Sequence, residues 1–283
     1  MPVIWQIAWG LDRDVRGGYA AAMDDAAAWR QLEAWREDPP SVAILTDIDG
    51  TLAPIVPTPD KSEVSEELRG LLRELSAEYL LVAGISGRKT RDALDLIGLD
   101  EVVYFGNHGF EILRGGEVEV VPDALPYFDR VQELERRAKE ELAPLGAFVE
   151  EKGITASVHY RNVPPEIGER SVAFVKAEGE RLGLRITVGR GVVEARPPIR
   201  ADKGTAVRAL VEEYRPKRAM FLGDDTTDLD AFRELAALRE EGTLEEILRV
   251  GVRSDEGPPE IVTEADIVVE NVEGVGDVLR VLR

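Results

Sequence analysis

The strongest constraint on the fold comes from residues 42–52, where a short apolar run ends abruptly in Asp47, Asp49, Gly50 and Thr51. An uncharged run of this length with β-branched residues is typical of a buried parallel strand, and the glycine marks a turn. In an open α/β sheet, ligands bind in the crevice outside the carboxyl ends of the strands. The side chains of Asp47 and Asp49 point the same way on an extended chain, so they would repel each other unless a cation lies between them. A solvated turn rich in aspartate and glycine is the alternative.

Composition limits the classes of protein to which this strand can belong. The chain has 283 residues, of which 44% are hydrophobic and 32% charged, and this predicts a globular protein of one large or two ordinary domains. A formal charge of −20 is unlike that of a nucleic-acid-binding surface, and no run approaches the ~20 apolar residues of a membrane helix. There are no cysteines, and the start of the chain lacks the basic segment of a signal peptide. We therefore expect a cytoplasmic protein that binds neither nucleic acid nor membrane.

Residues 1–40 are predicted to form a helical extension outside the main domain. Apolar side chains recur there at roughly helical spacing, in an alanine-rich segment that ends at two prolines. The stripe includes Tyr19, Met23, Trp29 and Trp35. Packing against the neighbouring domain is the preferred interpretation, and a dimer contact is the alternative.

Two further strand ends carry polar side chains. The predicted strand Tyr79–Ile85 runs into Ser86 and Gly87 just before a helix, where a hydroxyl and free backbone N–H groups favour an anion. Helix capping is the simpler role for Ser86. The predicted strand Glu101–Phe105 ends close to His108, which either has a structural role or contacts a ligand at the same edge of the sheet.

Between residues 111 and 198 the pattern changes to a small antiparallel sheet backed by two helices. The predicted elements are the helices Tyr127–Leu142 and Pro165–Leu182 and the strands Ala147–Lys152, Ile154–Arg161, Leu184–Val188 and Val192–Arg196. We therefore predict an inserted α/β cap at 111–198 within a core formed by 41–110 and 199–283. The strands have polar faces, with Glu150 and Lys152 on the first, Arg161 on the second and Glu194 on the last. Such faces either meet water or bind the hydroxyl groups of a sugar.

The last part of the core repeats the acidic strand end. Lys203 lies in the first turn of a predicted helix, where the helix dipole disfavours a cation, so a nearby anion or carboxylate cluster is expected. The predicted strand Arg218–Leu222 then ends in Asp224 and Asp225, with Asp228 shortly after them. The chain thus brings two acidic strand ends to one edge of the predicted sheet.

Together these strand ends comprise a nucleophilic carboxylate candidate, a second carboxylate, a hydroxyl, an ammonium group and a further acidic cluster. Hard oxygen ligands suit Mg²⁺, which is typically held by one or two carboxylates and a substrate phosphate. A carboxylate attacks phosphorus only if the charge repulsion is cancelled, and Mg²⁺ and Lys203 would cancel it. The predicted chemistry is phosphoryl transfer to an aspartate, followed by hydrolysis of the acyl phosphate.

Four motifs carry a resemblance to a known family. They are Asp47-Ile48-Asp49-Gly50-Thr51, Ser86-Gly87-Arg88, Lys203 and Gly223-Asp224-Asp225. As a set they resemble the haloacid dehalogenase superfamily of phosphatases, over about residues 41–283. Within it, the trehalose-6-phosphate phosphatase family looks similar at Gly106-Asn107-His108-Gly109-Phe110-Glu111, Val158-His159-Tyr160-Arg161 and Val193-Glu194-Ala195-Arg196-Pro197. The resemblance implies an α/β fold with a Rossmann-like parallel-sheet core and an inserted α/β cap domain.

The resemblance also implies a role for each matching residue. Asp47 would be the nucleophile and a metal ligand, and Asp49 the general acid and base whose backbone carbonyl reaches Mg²⁺. Asp224 would be the third metal ligand, whereas direct contact of Asp225 and Asp228 with the metal is left open. The phosphate would be held by Ser86, Gly87 and Lys203, and the sugar by His108, Glu150, Lys152, Arg161 and Glu194.

The implied activity is Mg²⁺-dependent hydrolysis of trehalose 6-phosphate to trehalose and phosphate, by a monomer or weak homodimer. Mannosyl-3-phosphoglycerate, glucosyl-3-phosphoglycerate and sucrose phosphate are alternative substrates of the same chemistry. A signalling receiver domain also uses a strand-end aspartate, Mg²⁺ and a lysine, but it has no inserted cap. A catalytically silent sugar-phosphate sensor is a further alternative, and it is disfavoured because no member of the motif set is missing.

Overall fold

The computed structural model describes residues 25–56, 61–254 and 257–283. The chain divides into two compact units, and each is treated by itself. The core unit contains the described residues up to Glu119 together with Ala201–Arg283, and the inserted unit is Val120–Arg200. The division into core and cap that the sequence predicts, with its boundaries at 110/111 and 198/199, stays a prediction.

The described residues form twelve strands and nine α-helices. The strands are β1 (Val42–Thr46), β2 (Leu81–Ile85), β3 (Val103–Gly106), β4 (Glu111–Arg114), β5 (Glu117–Val120), β6 (Phe148–Glu151), β7 (Ala156–His159), β8 (Arg185–Gly189), β9 (Val192–Arg196), β10 (Arg218–Gly223), β11 (Glu246–Arg253) and β12 (Ile267–Glu270). The helices are α1 (Asp25–Ala34), α2 (Glu66–Glu78), α3 (Thr90–Ile97), α4 (Phe128–Leu142), α5 (Pro165–Leu182), α6 (Lys203–Tyr214), α7 (Asp228–Glu240), α8 (Pro259–Glu264) and α9 (Asn271–Leu282). None of these helices is long and apolar enough to cross a bilayer.

The core unit is built on an eight-stranded sheet with the order β12-β11-β10-β1-β2-β3-β4-β5. The six strands from β12 to β3 pair in parallel, and β4 is antiparallel to β3. β1 lies between β10 and β2, so its carboxyl end is flanked by the ends of both neighbours. The predicted α/β class with a parallel-sheet core is therefore confirmed.

Both faces of β1 are buried, as expected for a parallel strand in a sheet covered by helices. Ile44 packs in a cluster with residues of α1, α2, α3 and α9, whereas Ala43 and Leu45 pack in a second cluster with residues of α6, α7 and α8. The alternation of neighbouring residues between the two clusters follows from the period of two along a strand. The apolar run before Asp47 is thus fixed on both sides, which holds the strand end rigidly.

Helix starts follow the capping residues of the sequence. Ser65 accepts a hydrogen bond from the Leu68 N–H at 3.2 Å at the start of α2. Asp202 caps α6 through the Thr205 N–H at 2.8 Å, and the Thr205 hydroxyl returns a bond with the Asp202 backbone. This capping box makes Lys203 the first residue of α6, directly below the carboxyl edge of the sheet.

The end of the N-terminal segment packs onto the core unit, as predicted. Leu32 and Trp35 are buried in the first apolar cluster, and the Trp35 Nε1–H donates to Glu246 Oε2 at 2.6 Å. Of the predicted stripe, Tyr19 and Met23 lie outside the described residues.

Four elements of the core unit are not predicted from the sequence, namely β4, β5, α7 and α8. The short strands β4 and β5 extend the sheet beyond β3, although residues 111–119 were expected to lie in the cap. Helix α7, which begins at Asp228, follows the second acidic strand end. Its first turn is important for the site described below.

The inserted unit is a four-stranded antiparallel sheet with the order β6-β7-β9-β8 and the helices α4 and α5. Val149, Val158 and Val193 pack with residues of both helices. Because side chains alternate along a strand, their neighbours Glu150, Ser157 and Glu194 lie on the opposite face. The predicted bounds of α5 and β9 agree with the structure, and those of the other strands differ by one or two residues at most ends.

Candidate active site

Asp47 stands at the end of β1, buried among charged groups. Its backbone N–H donates to the Leu222 carbonyl of β10 at 2.8 Å, which continues the sheet pairing by one residue. Its Oδ1 lies 2.9 Å from Lys203 Nζ. The side chain is 6% exposed, so the carboxylate is largely shielded from water.

A glycine allows the two acidic strand ends to meet. Gly50 has φ +90°, and a Cβ atom at this position would overlap the carboxylate of Asp224. The next residue, Thr51, donates its hydroxyl to Asp224 Oδ1 at 3.1 Å. The Gly-Thr pair after Asp49 therefore turns the chain and docks it against the end of β10.

Asp47, Asp224 and Asp228 form an acidic triad. One carboxylate oxygen from each residue lies within 4.8 Å of the others, and all three residues are buried. Asp228 is at the start of α7, and its Oδ2 accepts the backbone N–H groups of Asp224 and Asp225 at 2.9 Å each. These two bonds fold the strand end back on the helix start and bring the carboxylates together.

Lys203 is the cation inside this cluster. Its Nζ donates to Asp228 Oδ1 at 2.6 Å and lies 2.9 Å from Asp47 Oδ1. Burial alone would lower the pKa of Lys203, but the carboxylates of Asp228 and Asp47 outweigh burial and the pKa is raised. Lys203 is therefore a permanent positive charge, and its position at the helix start is explained by the triad, as predicted.

One lysine does not balance the triad. Burial raises the pKa of Asp47 well above its usual range, although Lys203 opposes this shift. Burial, then the charges of Asp228 and Asp225, raises the pKa of Asp224 to about 7, and burial raises that of Asp228 to about 6. A buried set of oxygen donors with unbalanced negative charge suits a hard divalent cation.

Asp49 turns away from the triad. Arg88 Nε donates to its Oδ2 at 2.6 Å and Arg88 Nη2 donates to its Oδ1 at 2.6 Å. Ser62 Oγ is 3.5 Å from Oδ1. The structure thus brings Asp47 and Asp224 together with Asp228, whereas the carboxylate of Asp49, which the sequence places beside them, is paired with Arg88.

Ser86 and Gly87 form a tight loop with His108. Ser86 is buried, and its hydroxyl accepts the Arg88 N–H at 3.1 Å. A Cβ atom on Gly87 would lie 2.5 Å from Cε1 of His108, so the imidazole packs directly on the glycine. The loop therefore requires glycine at position 87.

The backbone around His108 is strained to make this contact. Asn107 has φ 50° and His108 has φ 58°, which is uncommon for residues other than glycine. The Asn107 N–H donates to the Arg88 carbonyl at 2.7 Å, and the His108 N–H donates to the Ser86 carbonyl at 3.1 Å. Buried Glu111 supports the loop through hydrogen bonds with the Asn107 side chain and with Thr90. Burial raises the pKa of Glu111.

The inserted unit carries a separate polar cluster on the face of its sheet opposite the helices α4 and α5. Lys152 Nζ lies 3.8 Å from Glu150 Oε2 and 3.9 Å from Glu194 Oε1. His159 Nε2 is 2.8 Å from Glu150 Oε2. The structure therefore brings Glu150, Lys152 and Glu194 together, whereas Arg161, beyond the end of β7, donates to the Arg190 carbonyl at 3.3 Å.

The sequence did not predict the roles of two residues of the site, Arg88 and Asp228. Arg88 is part of a motif, but nothing local indicates that it pairs with Asp49, 39 residues earlier. Asp228 was left open as a metal contact, and it belongs to the triad. The sequence pattern that could have identified Asp228 as part of the acidic cluster is its position at a helix start, three residues after the acidic pair at the strand end.

Comparison with known proteins gives consistent matches. The family model described as trehalose-phosphatase matches residues 45–258. A trehalose-phosphate phosphatase of Mycobacterium marinum is 35% identical over 203 residues, which cover 68% of this chain and 51% of the relative. A probable trehalose-phosphate phosphatase G of Arabidopsis thaliana is 34% identical over 227 residues, covering 69% of this chain and 58% of the relative. The chain thus spans only about half the length of these curated relatives.

A solved structure agrees in fold. The C-terminal domain of a trehalose-6-phosphate phosphatase from C. albicans matches with a TM-score of 0.69 and 22% identity, covering 94% of this chain and 98% of that chain. At this identity the likeness concerns the fold.

Proposed function

The chain belongs to the trehalose-phosphatase family, and from this premise we propose that it hydrolyses trehalose 6-phosphate to trehalose and inorganic phosphate. The observation that carries the proposal is the buried carboxylate of Asp47, held 2.9 Å from Lys203 and next to Asp224 and Asp228. A carboxylate in this setting has a fixed direction and a neutralising cation, which are the requirements for attack on a phosphoryl group.

In the first step, an Asp47 carboxylate oxygen attacks phosphorus and the bond from phosphorus to the sugar oxygen breaks. The electron pair of that bond stays on the sugar oxygen, which takes a proton from the carboxyl group of Asp49. Lys203, Ser86 and Gly87 hold the phosphoryl oxygens, and the positive charge of Lys203 opposes the build-up of negative charge. Trehalose leaves, and Asp47 carries the phosphoryl group.

In the second step, a water oxygen attacks the phosphorus of the aspartyl phosphate. The Asp49 carboxylate takes the proton of that water, and the bond between phosphorus and Asp47 breaks. Asp47 returns to the carboxylate form and inorganic phosphate is released. Asp49 therefore ends each turnover with the proton that the next one uses.

The divalent ion we propose is Mg²⁺. The donors at the site are carboxylate oxygens, which Mg²⁺ prefers, and we assign Asp47, Asp224 and the backbone carbonyl of Asp49 as its ligands. Asp228 already accepts bonds from Lys203 and from two backbone N–H groups, so it positions the ligands. When bound, Mg²⁺ would neutralise charge at the phosphoryl group.

The inserted unit supplies the proposed sugar contacts. Glu150, Lys152 and Glu194 lie together on one sheet face, and mixed carboxylate and ammonium groups can accept from and donate to sugar hydroxyls. His108 and Arg161 remain further candidates for substrate contact. The expected cytoplasmic location and the monomeric or weakly dimeric state stay predictions.

A panel of phosphate esters tests the proposal. Released phosphate is measured for trehalose 6-phosphate, sucrose phosphate, mannosyl-3-phosphoglycerate and glucosyl-3-phosphoglycerate, each with Mg²⁺ and with EDTA. We expect kcat/KM for trehalose 6-phosphate to exceed the others by at least about tenfold, because a site that pairs specific hydroxyls rejects unmatched ones. Equal rates on all four esters would refute the substrate assignment, and no turnover with any ester would refute the phosphatase activity.

A further inference from the structure

The geometry points to Arg88 as a positioning residue for Asp49, a role that rests on the proposed phosphatase function. We propose that Arg88 separates the proton-carrying carboxyl group from the acidic triad and aims it at the reacting oxygen. Asp49 is only two residues from Asp47, so without a partner of its own its carboxylate would be free to turn toward the same cation site.

Arg88 and Asp49 form a bidentate ion pair. Arg88 Nε and Nη2 each donate to a different oxygen of Asp49, both at 2.6 Å. A bidentate guanidinium–carboxylate pair fixes the plane of the carboxylate as well as its distance. The Arg88 and Asp49 side chains are 19% and 38% exposed, so the pair is anchored on one side and open on the other.

Arg88 is itself anchored by its backbone. Its N–H donates to Ser86 Oγ at 3.1 Å, and its carbonyl accepts the Asn107 N–H at 2.7 Å. Ser86 is a proposed phosphate ligand, so the loop that binds the phosphoryl group also sets the position of Asp49. The guanidinium that holds the proton donor and a phosphate ligand thus lie on one loop, which keeps the separation of the two groups constant.

Two cations therefore divide the carboxylates of the site. Lys203 contacts Asp47 and Asp228, and Arg88 contacts Asp49. With an ester whose leaving group needs no proton, only the second step uses Asp49. Loss of Arg88 should then slow the hydrolysis of the aspartyl phosphate more than its formation.

The test uses p-nitrophenyl phosphate, whose phenolate leaving group needs no proton, beside trehalose 6-phosphate. For Arg88→Ala we expect steady-state kcat on both esters to fall about 10- to 100-fold, the range for a misplaced catalytic group. Rapid mixing with p-nitrophenyl phosphate should then show a burst of about one nitrophenolate per active site, larger than that of the wild type.

Arg88→Lys should recover part of the rate, since it keeps the charge and loses the second bond. Arg91→Ala, an exposed arginine of α3, is the matched control and should behave as the wild type.

A double-mutant comparison decides whether Arg88 acts through Asp49. In an Asp49→Asn background, Arg88→Ala should change the rate by less than about twofold, because residues that act as a unit are not additive. A full additive loss, or a rise in KM on both esters with kcat unchanged and no burst, would overturn the role and assign Arg88 to direct phosphate binding. Turnover of p-nitrophenyl phosphate without turnover of trehalose 6-phosphate would remove the proposed substrate and leave the Arg88 test intact. Wild-type inactivity on both esters would end both proposals.

Discussion

The two units each gather carboxylates around a lysine, but at different distances and depths. In the core unit, Lys203 lies 2.6 Å and 2.9 Å from its two nearest carboxylates, and its side chain is 3% exposed. In the inserted unit, Lys152 lies 3.8 Å and 3.9 Å from its partners, and its side chain is 11% exposed. The charges of the first cluster are in direct contact, whereas those of the second are separated by longer distances.

This difference indicates which chemistry each cluster can perform. Buried charges in short contact are already oriented before the substrate arrives, and such preorganisation lowers the barrier of a reaction that moves charge. Polar groups at longer distances can rotate to meet the hydroxyls of a bound sugar. We therefore expect substitutions in the core cluster to act on kcat and on stability, and those in the inserted cluster to act mainly on KM.

Asp47→Asn should have the largest effect. The amide has the same shape but cannot attack phosphorus, so phosphate release from trehalose 6-phosphate should fall by at least about a thousandfold. The measurement is released phosphate under saturating substrate, with circular dichroism as the check on folding. A residual rate within tenfold of the wild type would show that Asp47 is not the nucleophile.

Lys203→Met should destabilise the core unit strongly. Without the ammonium group, Asp47 and Asp228 are buried carboxylates that have lost their ion pair with Lys203. Such a loss typically costs about 3–5 kcal/mol of unfolding free energy. Denaturant unfolding at pH 8 in EDTA measures this loss. Lys152→Met is the matched comparison, and its cost should be clearly the smaller of the two because the ion pairs of Lys152 are longer. Equal losses in the two variants would contradict the distinction between the clusters.

The metal-free protein should lose stability as the pH rises. Asp224 has a folded-state pKa of about 7 against an ordinary value of 3.8, so it favours the folded state when protonated. This contribution is complete below about pH 4 and is lost as the pH rises through 7, by about 4 kcal/mol in total. Unfolding in EDTA between pH 5 and 8 should show the decline, Asp224→Asn should make it shallower, and added Mg²⁺ should stabilise the protein more at pH 8 than at pH 5. A stability that rises over this range would contradict the predicted sign.

Glu194→Gln should have the smallest effect. It removes a charge from the inserted cluster and leaves the core site intact, so KM for trehalose 6-phosphate should rise about tenfold, the value of one hydrogen bond to a charged group. The kcat on p-nitrophenyl phosphate should not change. Glu151→Gln is the control, since Glu151 pairs with Lys139 of α4 and follows Glu150 on the strand, so its side chain points to the other face of the sheet. A tenfold fall in kcat on p-nitrophenyl phosphate would show that the inserted cluster takes part in the chemistry.

The sequence was most informative where a local pattern has one physical solution. An uncharged run ending in Asp47 predicts a buried strand with a polar end, and β1 has that form. The unusual lysine at the start of α6 predicts nearby negative charge, and the triad supplies it. By contrast, β4 and β5 were missed, because strands of only four residues are too short to have a distinctive local pattern.

The sequence by itself determined the chemical types at the site and their location at strand ends, since strand periodicity and turn residues are local properties. Only the tertiary structure decided the partners. Asp228 joins Asp47 because β1 and β10 are neighbours in the sheet, and Arg88 takes Asp49 because β2 lies on the other side of β1. Residues far apart in sequence are paired by strand order and by the need to balance each buried charge, and neither is expressed in the spacing along the chain.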